Sequence, residues 1–156
     1  MERQQAIAEL RHKFPELQSR EASHVELRPP DPQACLDVYD CATFVTEQFE
    51  AAEDTRVHAA FECMERFLSQ GDRHLREWVS AWVDAVQNTA CWRRYGSAAF
   101  SPFLGPETRA LWEALDTVRT ASDKLDLSDY SVLEAEILTW RMLREKARLL
   151  AGSPHC

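Results

Sequence analysis

Two apolar stripes at helical spacing, joined by a short turn, constrain this chain more than any other feature. Val57, Ala60, Phe61, Met64, Phe67 and Leu68 follow the i, i+3, i+4, i+7, i+10, i+11 pattern of one helix face. Leu75, Trp78, Val79, Trp82, Val83 and Val86 repeat that spacing. Arg56, His58, Glu62, Glu65 and Ser69 fall between the apolar positions of the first stripe and read as its wet face. Gly71 is expected to end the first helix in a left-handed conformation, and Asp72 to cap the second. Helices linked so tightly pack antiparallel. They should form the centre of the molecule and bury Phe61, Phe67, Trp78 and Trp82.

Further helices follow from the same reading. Ile7, Leu10, Phe14 and Leu17 share a stripe within Arg3 to Gln18, which Pro15 should break or kink at Phe14. Pro29, Pro30 and Pro32 mark an extended connector, with a short edge strand from Val25 to Arg28 as a weaker element. Asp40 is placed as the N-cap of a helix from Cys41 to Ala52. Asn88 to Leu104 reads as irregular. Gly105 and Pro106 open a helix that buries Leu111, Trp112, Leu115 and Val118, with proline at the tolerated first position. Thr120 to Asp129 reads as a polar connector. Ser131 and Glu134 make a capping box for a last helix. The expectation is an all-α antiparallel bundle of about six helices, with HEAT-like hairpin packing as a variant. It places one domain over residues 1–150 and a frayed tail over 151–156.

Composition narrows function by exclusion. The 156 residues carry a formal net charge of -8, which disfavours nucleic acid and an anionic membrane face. That charge suits a basic protein partner, although solubility alone also explains it. No apolar run approaches a membrane span, and Met1 to Gln5 starts no secretory signal. Cys35, Cys41, Cys63, Cys91 and Cys156 are odd in number and form no Cys-x-x-Cys pair, as in a reduced cytoplasmic protein.

Catalytic and metal chemistry find little support. His58 and Glu62 stand one helical turn apart and could both reach an ion, but on a face turned to water. Glu21 to His24 matches a single Glu-x-x-His motif, where bundle di-iron sites use two. Cys63 reads as an inert small hydrophobe. Cys91 has cations beside it but no nearby histidine to act as base. There is no phosphate loop and no Gly-x-Ser-x-Gly elbow. No cofactor is implied and no enzyme activity is expected. A metal-binding bundle built on His58 and Glu62 is the alternative.

The stretch Trp92, Arg93, Arg94 and Tyr95 is aromatic and basic together. Such residues are enriched where proteins bind one another, and they also pack as plain structure. With Phe103 and Arg109 they form the candidate partner-binding set. Arg109 could pair with an acidic residue such as Asp84 or remain free for a partner.

Phe103-Leu104-Gly105-Pro106-Glu107-Thr108-Arg109-Ala110-Leu111-Trp112 is the most distinctive run in the chain. It resembles the Leu-Gly-Pro-x-Thr-Arg/Lys-x-x-Trp motif of a family of small bacterial helical proteins of unknown function. Phe61 to Arg66, Gly71-Asp72 and Val86-Gln87-Asn88 are similar to other parts of that pattern, which spans about residues 36 to 116. The final helix is not part of it. By analogy of size and style, the resemblance implies an immunity or antitoxin-type inhibitor that binds a toxin. A self-associating structural domain, such as a homodimer, is a further reading.

Overall fold

The computed structural model of the chain describes residues 1–18 and 38–123. The regular elements among them are all helical, so the protein is all-α, with bundle-like packing. They are α1 (Arg3–Lys13), α2 (Val38–Glu50), α3 (Asp54–Gln70), α4 (Arg73–Cys91), a 3-10 helix (Ser97–Phe103) and α5 (Pro106–Asp123). None is long and apolar enough to cross a membrane. The connector through Pro29, Pro30 and Pro32, the strand at Val25 to Arg28, the Glu21 to His24 motif, the helix from Ser131 and the tail lie outside the described residues. The chain divides into two compact units, Met1–Arg109 and Ala110–Cys156. Packing is described below for the first.

Helix α4 is the axis of that unit. Its contact with α2 is the most extensive, and α1, α3 and the 3-10 helix also pack on it. The expected pairing of the Val57–Leu68 and Leu75–Val86 stripes is present, but the larger neighbour of α4 is α2. The reason is the width of the apolar face on α4. Val79, Ser80, Trp82, Val83, Ala85, Val86, Gln87 and Ala90 are all buried, which is more than one partner helix can cover. Phe61, Phe67, Trp78 and Trp82 are buried as expected.

Helix α1 runs antiparallel to α3. The Asp72 N–H donates to the Met1 carbonyl (3.1 Å), Glu9 accepts from Arg66, and Lys13 Nζ donates to the Ala59 carbonyl (3.4 Å). Pro15 ends α1 as the sequence requires. Phe14 leaves the helix at φ -130°, ψ 78°, and a helical turn resumes at 16–18.

Four boundaries differ from expectation. Helix α2 begins by Val38, so Asp40 lies inside its first turn instead of capping it, where its carboxylate still favours the positive end of the helix. Gly71 is extended (φ -75°, ψ 153°), not left-handed. Its N–H still closes α3 on the Phe67 carbonyl at 2.9 Å. Glycine is needed there because a Cβ would stand 2.3 Å from that same carbonyl oxygen. Asp72 caps α4 as expected, accepting from the Leu75 N–H at 2.9 Å. The segment read as irregular contains the last turn of α4 and the 3-10 helix. Helix α5 continues through Thr120 to Asp123, since no glycine or proline stands there to stop it.

Candidate functional site

The strip from Trp92 to Arg109 begins where α4 runs out. The Trp92 N–H bonds back to the Thr89 carbonyl (3.3 Å), Arg93 N–H to Ala90 (3.0 Å) and Gly96 N–H to Arg93 (3.1 Å). Gly96 then takes φ +68°, a conformation that strongly favours glycine, and the 3-10 helix starts. These bonds fix the course of the turn. A ring cluster fixes its base. Tyr95 lies 4.8 Å from Phe49 and 6.1 Å from Phe100, centroid to centroid. Phe103 packs edge-on to Phe49 at 6.1 Å and stacks on Phe61 at 6.3 Å.

Glu50, at the end of α2, serves two members of the strip. The Tyr95 hydroxyl donates to its Oε1 at 3.0 Å, and Arg93 Nε stands 3.3 Å from the same oxygen. Partial burial, reinforced by the Glu50 carboxylate, pushes the Tyr95 phenol up to about 12, because both disfavour a second negative charge.

The six candidate residues therefore divide. Tyr95 and Phe103 are half-buried in the ring cluster. Arg109 donates from Nη2 to the carbonyls of Leu104 (3.0 Å) and Ser101 (3.2 Å), so its guanidinium holds the turn that feeds α5. Arg93 is half-engaged by Glu50. Trp92 and Arg94 remain. Trp92 is 91% exposed, the most exposed large hydrophobic side chain among the described residues. Arg94 is also exposed, and among the described residues no carboxylate pairs with it.

His58 and Glu62 do not converge. The His58 ring sits edge-on to Phe103 at 4.6 Å, whereas Glu62 lies 4.0 Å from Lys13. Among the described residues no three His, Cys, Asp or Glu side chains stand together as a metal site would require. Cys63 is buried, and desolvation pushes its thiol up despite Lys13 Nζ at 3.7 Å from the sulfur.

Sequence reasoning missed Glu65. It belongs to the wet face of α3, yet it is half-buried and accepts from the Glu107 N–H (2.8 Å), the Thr108 N–H (2.9 Å) and the Thr108 hydroxyl (2.9 Å). A cavity of about 430 Å³ opens beside it, floored by Phe61, Phe103 and Leu104 and rimmed by Glu62 and Arg66. The charges on that rim are already answered, Arg66 by Glu9 and Glu62 by Lys13.

No protein-family profile, curated protein or solved structure matches the chain.

Proposed function

We propose that this chain is a non-catalytic protein-binding domain of the immunity or antitoxin type, acting in the cytoplasm by occupying a toxin. One observation carries the reading: Trp92 is held almost fully in solvent on a turn whose backbone is hydrogen-bonded and whose base is a packed ring cluster. Exposing an indole forfeits its burial, of the order of 1.5–3 kcal/mol for a large apolar side chain. An aromatic side chain on an already ordered turn recovers that loss on binding, with only its two χ angles left to fix. The net charge of -8 suits a partner that is basic overall.

The test is capture from the native host, with Trp92→Ala as control. The wild-type protein should retain one partner at fixed stoichiometry, and should neutralise a toxin encoded beside it. Trp92→Ala should keep the melting curve and lose both properties. A wild-type protein that neutralises nothing and retains no partner refutes the reading.

A further inference from the structure

We infer that the partner meets Trp92 with an acidic surface: an apolar slot for the indole, flanked by a carboxylate that pairs with Arg94. This rests on the protein-binding reading above and adds the chemistry of the contact. Two arginines follow Trp92 on the same turn, and they are not equivalent. Arg93 is answered within the molecule by Glu50 at 3.3 Å. Arg94 is exposed and has no such carboxylate among the described residues. Among the described residues the corner thus presents one unanswered guanidinium beside one unburied indole, on a protein whose formal net charge is -8.

The two scales of charge act differently. At physiological salt, charges further away than about 8 Å are largely screened. The acidity of the whole molecule therefore steers a distant basic partner weakly, while Arg94 sets what can touch Trp92. A guanidinium recognises a carboxylate with a two-pronged hydrogen bond, which an opposing ammonium cannot offer. A nucleic-acid phosphate would also accept from Arg94, but it would meet the remaining negative surface around a single basic corner.

The sign of the local field can be read without the partner. Trp92 emission is isolated as the difference between the wild type and Trp92→Phe, then quenched with iodide and with caesium. Iodide should quench it better than caesium, against the sign of the net charge, and Arg94→Gln should remove that preference. A blocked peptide alternating glutamate and leucine should shift Trp92 emission. Arg94→Gln should weaken that response roughly two- to fivefold, the scale of an exposed charge pair. The matching lysine–leucine peptide and a single-stranded oligothymidylate should leave the emission unchanged. Caesium quenching as strong as iodide, or preference for the lysine peptide or the oligonucleotide, overturns the inference. If the native partner still depends on Trp92 in that event, the binding-domain reading stands and only the acidic contact fails. If capture never depends on Trp92, the reading itself has failed.

Discussion

Glu65 of α3 caps α5 from outside, taking both the backbone N–H and the hydroxyl of Thr108. A helix usually supplies this carboxylate or hydroxyl from its own N-cap residue. Here Gly105 occupies that place and has no side chain. A Cβ on Gly105 would stand 2.6 Å from the Glu65 carboxylate, so the glycine makes room for the cap that replaces its own. Pro106 then needs no partner for a missing N–H. The Glu107 N–H goes to Glu65 Oε1. Leu104 to Thr108 is thus explained as the receiving half of a tertiary cap.

Glu65→Ala should lower unfolding free energy by about 1–3 kcal/mol, because it strands polar groups that are part-buried. Glu65→Gln, which keeps an acceptor, should lose less. Gly105→Ala should be costly in the wild type and nearly free on the Glu65→Ala background, where the clash is gone. A denaturant double-mutant cycle measures the coupling. Additive losses would mean that Gly105 is glycine for some other reason.

The parts legible in the sequence are those set by neighbours within one helix. Helical period located Phe61, Phe67, Trp78 and Trp82 in the core, and Pro15 located the break after α1. Asp72 was readable because a cap acts over three residues. The role of Glu65 was not, since Thr108 lies 43 residues away and a helical wheel says only that position 65 stands off the apolar stripe. The contacts of Arg109 were hidden for a different reason. Charge and motif position suggested a partner, while its acceptors are backbone carbonyls of the preceding turn, which no pattern of side chains displays. Gly71 was located correctly and given the wrong conformation, because a helix stop and a left-handed stop leave the same residue in the sequence.

Phe61→Asp should abolish cooperative folding. Phe61 is 1% exposed and touches the Phe100 and Phe103 rings. An unpaired carboxylate there costs several kcal/mol, comparable to the whole stability of a domain of this size. Circular dichroism on heating is the measurement, and an unchanged melt would place Phe61 outside the core.

Stability should fall in alkali as Tyr95 ionises. Its phenol is raised to about 12 in the fold, above the ordinary value of about 10. A group raised on folding contributes fully below its unfolded value, and the contribution disappears as pH climbs through the folded one. The window is therefore about pH 10 to 12. Tyr95→Phe should lose one exposed hydrogen bond, under about 1 kcal/mol at neutral pH, and should flatten stability across that window. Phenolate absorbance followed against pH should show a late-titrating component in the wild type that the variant lacks. A titration in which every tyrosine ionises near the ordinary value would remove the Glu50 contact from the folded state.

The turns before and after α4 hold two kinds of glycine. Gly71 is extended, so a side chain there meets no dihedral penalty, but its Cβ would stand 2.3 Å from the Phe67 carbonyl oxygen and 3.0 Å from the Leu75 side chain. Gly96 has open space around it and a left-handed φ of +68°. Gly96→Ala, Gly96→Asn and Gly96→Val should therefore each cost about 1–3 kcal/mol, because φ +68° with ψ 170° lies outside the αL basin that asparagine enters and is essentially reserved for glycine. Gly71 should follow size instead. Gly71→Ala and Gly71→Asn should both destabilise, because the obstacle is backbone that cannot swing away. Melting temperatures of the variants at the two positions decide between the causes. Rescue of Gly71 by asparagine would show that its backbone is left-handed after all.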